Sequence, residues 1–159
     1  MYLLRVFAFL FLSFLSAGLC PAAEKAAFIQ LSDLATGRVI LSQLSTTEEL
    51  ITLTWNNSQF SLKVTEVYIV REGFIEQTAV TFHDPEGKEP PLIKPEEIGD
   101  FYHTGGPFRA EGISRRFKKV IFRIGDFGNP ILKIAERSIN LKKEVGFGGA
   151  VVIEILDGY

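Results

Sequence analysis

From Ala26 onward, short runs of alternating apolar and polar residues are broken at close intervals by glycine, proline, asparagine and serine. Leu50-Ile51-Thr52-Leu53-Thr54-Trp55 shows the pattern most plainly. Apolar side chains take turns with β-branched threonines, as suits a strand with one buried face. Asn56-Asn57-Ser58 ends it, because short polar side chains bond to nearby backbone and favour turns. Leu62 to Arg71 predicts the next strand, Glu72-Gly73 a tight turn, and Phe74 to Phe82 the hairpin partner. Upstream, Phe28-Ile29-Gln30-Leu31 and Val39-Ile40-Leu41 flank a turn at Ala35-Thr36-Gly37. Downstream, Lys119 to Ile124, Ile131 to Ile134 and Ala150 to Leu156 predict three more strands.

Between these groups, His83-Asp84-Pro85-Glu86-Gly87-Lys88-Glu89-Pro90-Pro91 suits neither strand nor helix and reads as a crossover. Lys94 to Ile98 predicts one helical turn with Pro95 at its first position, and Phe101 to Phe108 reads as irregular. Gly125-Asp126-Phe127-Gly128-Asn129-Pro130 reads as a tight connection and Gly146-Phe147-Gly148-Gly149 as a hairpin turn. Nowhere does a 3.6-residue period persist. The expected fold is all-β, an antiparallel β-sandwich or open barrel, with at most one short helix after an N-terminal signal helix. One domain is expected over residues 23–159.

The N-terminal pattern differs in kind. Arg5 precedes the apolar run Val6 to Leu15, the small residues Ser16, Ala17 and Gly18 follow, and charge resumes at Glu24 and Lys25. A positive end, a short apolar core and a small-residue exit predict a secretory signal over residues 1–22, and hence a periplasmic or cell-envelope location. Cleavage after Gly18 or Ala22, lipidation at Cys20 and retention as a tether all stay open. Cys20 is the one cysteine, so a mature domain has neither an internal disulfide nor a cysteine metal cluster. The formal net charge of -2 offers no field for nucleic acid. Beyond the signal no apolar stretch is long enough to cross a bilayer.

Several stretches carry a family likeness. They are Thr52 to Ser58, Val64-Thr65-Glu66-Val67-Tyr68, Thr81-Phe82 with the Gly/Pro loop after it, Arg123 to Gly128, Ile139-Asn140-Leu141 and Gly148 to Ile153. The chain resembles the small secreted domain-of-unknown-function family eighteen-fifty. Its members are all-β exported proteins encoded beside TRAP transporters that use the TAXI type of solute-binding protein. Asn57 stands where that family usually has a histidine, while Glu66 and Tyr68 agree with it. The resemblance implies an accessory role near a transporter and no reaction.

Among individual residues Glu66 stands out. Strict alternation places it on one face with Leu62, Val64, Tyr68 and Val70, where a carboxylate is costly unless paired or hydrogen-bonded. Either it belongs to a polar network or binding site with Asn57, Ser58 or an arginine, or a β-bulge turns it outward. Trp55, the sole tryptophan, either caps the core or lines a ligand rim. Arg115-Arg116-Phe117-Lys118-Lys119 is either a patch for acidic partners or lipid headgroups, or a solvated strand edge. His83 and His103, with Asp84 and Asp100, match no metal-ligand spacing. Ser58 and Ser114 lack a nucleophile signature. Gly146 to Gly149 is followed by a strand without the lysine of a phosphate loop.

The expectation is therefore a non-enzymatic protein with no catalytic residue, cofactor or metal. Its binding residues would come from Trp55, Asn57, Ser58, Glu66, Tyr68, Arg115 and Arg116. TRAP-TAXI transporter subunits are the expected partners, and membrane contact runs only through a retained N-terminal segment. The alternative is an independent small-molecule or ion-binding module of the cell envelope.

Overall fold

The hairpin read from residues 62–82 is the centre of the larger of two sheets. Its strands, β4 (Lys63–Arg71) and β5 (Phe74–Phe82), pair antiparallel around Glu72-Gly73. Both turn residues have positive φ, 52° and 72°, which gives the backbone twist that two-residue hairpins need. The computed structural model describes residues 27–46 and 48–157. The signal expected over residues 1–22, with Cys20 inside it, lies outside the described residues.

The larger sheet runs in the order β10 (Arg137–Asn140), β9 (Ile131–Ile134), β3 (Leu50–Asn56), β4, β5, β7 (Phe108–Phe117), β6 (Leu92–Ile93). The smaller runs β2 (Val39–Ser45), β1 (Ala27–Asp33), β11 (Ala150–Asp157), β8 (Lys119–Arg123). Every pairing is antiparallel except that of β6 with β7. Both sheets are open, so of the two expected architectures the protein is a sandwich.

A bulge keeps the inner face of the large sheet continuous. Val67 pairs with Ala79 but Tyr68 pairs with Gln77, leaving Thr78 as one extra residue on β5. Ile75 and Gln77 thus face inward before the bulge, and Val80 and Phe82 after it. Two clusters cover this face. At one end Ile29, Leu31, Val151 and Ile153 of the small sheet pack on Ile51, Leu53, Leu132 and Ile134. At the other end Val64, Val80, Phe82, Phe108 and Ala110 are covered by Leu62, Ile93 and Ile98, with Phe60 and Phe101 alongside. Phe82 and Phe108 stack there with ring centroids 4.6 Å apart. Each such buried aromatic contributes about 1.5–3 kcal/mol of apolar burial.

Some elements differ from the sequence reading. The turn at Lys94 is a 3-10 turn, Pro95–Glu97, with Pro95 at its first position, and it runs on into α1 (Ile98–Thr104). A second short helix, α2 (Leu141–Val145), starts at Asn140, whose side chain accepts a bond from the Lys143 N–H at 3.0 Å. Gly146 to Gly149 is therefore no hairpin turn, because it leads from α2 into β11. Part of the stretch after α1 is β7, whose inward–outward alternation is lost at Glu111-Gly112. The chain then changes sheets across the single residue Lys118. Among the described residues no helix is long and apolar enough to cross a membrane.

Candidate functional site

A cleft parts the two covers of the large sheet at Glu66. The small sheet ends at the free edge of β8, and the other cover begins at α1 and the loop after β3. Glu66 lies in the seam. On β4 it sits between Val64, which belongs to the aromatic cluster, and Tyr68, which belongs to the inter-sheet core. Leu53 of β3 and Val80 of β5 are its cross-strand neighbours.

Three side chains serve the Glu66 carboxylate. Trp55 Nε1 donates to Oε1 at 2.9 Å, the Tyr68 hydroxyl donates to Oε2, and Gln77 Nε2 donates to Oε2 at 3.3 Å. All three donors are neutral. Among the described residues no lysine, arginine or histidine nitrogen lies within 4.0 Å of it. The charge acts on its surroundings. Burial, and after it the adjacent Glu66 charge and hydrogen bond, push the Tyr68 phenol far above the usual tyrosine range. Burial and the same carboxylate also raise the Tyr102 phenol, against a smaller opposing effect of Arg115.

Above Glu66 opens a cleft of about 440 Å³. Leu53 and Glu66 form its floor. Trp55, Asn57 and Ser58 stand on one side, and Ile121, Phe122 and Arg123 of β8 on the other, with the loop Gly125 to Gly128 closing an end. The walls are held by the backbone. The Asn57 side-chain carbonyl accepts from the N–H groups of Gln59 and Phe60, each at 2.9 Å, which fixes the turn after β3. The Asn56 N–H donates to the Gly128 carbonyl at 2.9 Å and ties that turn to the opposite loop. Gly128 has φ 109°, a backbone conformation that favours glycine, and a Cβ there would crowd the Asn56 carbonyl oxygen at 3.2 Å.

The structure brings four of the candidate binding residues, Trp55, Asn57, Ser58 and Glu66, to one cleft. Tyr68 is buried beneath it and reaches it only through Glu66. Arg115 pairs across from Gln77 at the seam, on the α1 side. Arg116 points to the opposite face of the sheet. There it bonds Glu72 at 2.7 Å, lies 3.6 Å from Glu76 and sits 4.8 Å above the Phe74 ring. The two readings of Glu66 are also separated. A bulge exists beside it, but the extra residue is Thr78 on the partner strand, so Glu66 keeps its inward phase.

His83 and His103 lie on opposite sides of the large sheet. His83 Nε2 is 2.9 Å from Thr65 Oγ1 on the outer face, while α1, which carries His103, covers the inner face. Ser114 donates to Glu76 at 3.2 Å, away from the cleft. Among the described residues no three histidine, cysteine, aspartate or glutamate side chains gather as a metal site. Sequence reasoning missed Phe122, Arg123 and Phe127. The signal that points to Phe127 is a large aromatic set in the Gly/Asp/Asn/Pro segment 125–130, and it is 74% exposed. The chain matches no family model, no curated protein and no solved structure.

Proposed function

We propose that this protein is an exported, non-catalytic binding domain that takes a small ligand in the cleft over Glu66, working as a partner of a TRAP-TAXI type solute transporter. One observation carries the binding half of this reading. A charged carboxylate, held by three neutral donors, forms the floor of an open cleft with aromatic walls. Clefts of this size, mostly apolar with a few fixed polar groups, suit small organic molecules. The transporter half is supported by the signal-like N-terminus and by the family resemblance of Thr52 to Tyr68 and Arg123 to Ile153. An independent envelope binding module is the second reading, and it uses the same cleft.

Trp55 serves as its own reporter, since it is the sole tryptophan and lines the cleft. The purified protein is screened against amino acids, amines, carboxylates and sugars by thermal shift and Trp55 emission. At least one solute class is expected to raise the melting temperature and move the emission. Ser58→Trp, which fills the cleft, is expected to abolish the thermal shift. Absence of any response removes the binding reading. Co-purification with the transporter subunits from intact membranes tests the other half, and a ligand-binding protein that never co-purifies leaves the independent module.

A further inference from the structure

We infer that the cleft selects a positively charged organic group, a protonated amine or a quaternary ammonium, with Glu66 as its counter-ion. This rests on the reading of the cleft as a ligand site and names the class of ligand. Each carboxylate oxygen has two lone-pair sites. Oε2 of Glu66 accepts from both Tyr68 and Gln77, whereas Oε1 accepts from Trp55 alone. The remaining site is on the oxygen bonded to Trp55. Trp55 lines the cleft, and neither Tyr68 nor Gln77 does.

The charge balance gives the sign of the ligand. The other carboxylate drawn into the large sheet, Glu76, has Arg116 3.6 Å away and accepts from Ser114. Glu66 has no such cation among the described residues. A partly buried carboxylate served by neutral donors alone gains most from an incoming positive charge, and repels a negative one. The walls point the same way. Trp55, Phe122 and Phe127 line the cleft, and aromatic faces attract ammonium groups. A bare divalent metal ion fits poorly, because Glu66 is not part of any cluster of three metal-ligating side chains. Asp126 and Arg123 stand at the rim. Asp126 is already 3.7 Å from Lys142 Nζ.

Benzylammonium, benzyltrimethylammonium, benzyl alcohol and benzoate share one ring and differ in charge. Titrated against the native protein, the two ammonium compounds are expected to change Trp55 emission and to bind at least about tenfold tighter than benzyl alcohol, with benzoate inert. Glu66→Gln keeps an acceptor for the indole and is expected to remove that preference, bringing both ammonium compounds to within about threefold of benzyl alcohol. Should that variant not fold, Phe127→Ala, at an exposed loop position, is expected to weaken both ammonium ligands by about threefold. Equal binding of benzyl alcohol or benzoate overturns the cationic assignment while the cleft remains a ligand site. A native protein that responds to none of the four overturns the assignment. If the broader solute screen is silent too, the cleft reading falls with it.

Discussion

Trp55 and Glu66 are joined by a 2.9 Å hydrogen bond although they are not cross-strand partners. Trp55 stands opposite Val64, and Glu66 stands opposite Leu53. The contact is diagonal, within the reach of a long aromatic side chain on one sheet face. It draws the indole over the carboxylate, and so the same bond that satisfies a partly buried charge also sets one wall of the cleft.

Removing the carboxylate strands its donors. In Glu66→Ala the Trp55 N–H, the Tyr68 hydroxyl and the Gln77 amide lose their shared acceptor. Unsatisfied buried donors cost about 1–3 kcal/mol each, and water entering from the cleft relieves part of this, so a loss of about 2–5 kcal/mol is expected. Glu66→Gln keeps one good acceptor and is expected to lose about 1–2 kcal/mol. Urea denaturation at neutral pH measures both. An alanine variant as stable as the parent would show that the network contributes nothing to folding.

Alkaline stability depends on Tyr68. Its phenol is raised above the ordinary value of 10.0, mainly by burial and then by Glu66. The native state therefore keeps a proton that the unfolded chain releases. Its contribution is complete below pH 10 and is lost as the pH climbs toward the folded value. Stability is expected to be flat in this respect through neutrality and to fall above about pH 10, with Tyr68→Phe flattening that fall. Tyrosine absorbance at 295 nm follows ionisation directly. A Tyr68 that ionises in the folded protein near pH 10 contradicts the buried arrangement.

The hairpin was legible because it depends on neighbours in sequence, whereas alternation offered an inward phase for Glu66 without excluding a bulge that turns it outward. Glu72-Gly73 places the turn. The cleft was not legible, because its walls come from Trp55 to Ser58, from β8 and from the loop Gly125 to Pro130, which are distant in the chain. β7 escaped notice because Glu111-Gly112 breaks its alternation and Arg115-Arg116 resemble a surface segment. α2 escaped because five residues are too few to show a helical period. The basic run could not be apportioned either. Adjacent residues on a strand face opposite ways, and only the pairing with β5 assigns Arg115 to the seam and Arg116 to the outer face.

His83 should titrate low. Burial first, and the nearby Lys63 charge second, hold its imidazole below the ordinary 6.5. The neutral form, 2.9 Å from Thr65 Oγ1, is favoured in the folded state. The associated stability is present above pH 6.5 and is lost as the pH falls through the folded value. An NMR titration of the ring C–H protons is expected to give a midpoint below 6.5. A midpoint at or above that value would contradict the burial of the ring beside Lys63.

Gly105 fastens α1 to the turn that bounds the cleft. It ends the helix at φ 75° and ψ 176°, a region open to almost no residue but glycine. A Cβ there would lie 2.5 Å from Cε1 of Phe60, which packs against the aromatic cluster two residues beyond Ser58. Gly105→Ala therefore combines backbone strain with a displaced ring, and a loss of about 2–4 kcal/mol is expected. Gly106→Ala separates the two effects. Gly106 also has positive φ, 107°, but nothing lies within 4 Å of its Cβ position. It is expected to lose less, about 1–3 kcal/mol, from strain alone, and to leave ligand binding in the cleft unchanged. Gly105→Ala is expected to weaken that binding as well, because moving Phe60 moves the turn carrying Asn57 and Ser58. Equal losses in the two variants, with equal ligand affinity, would detach Phe60 from the support of the cleft wall.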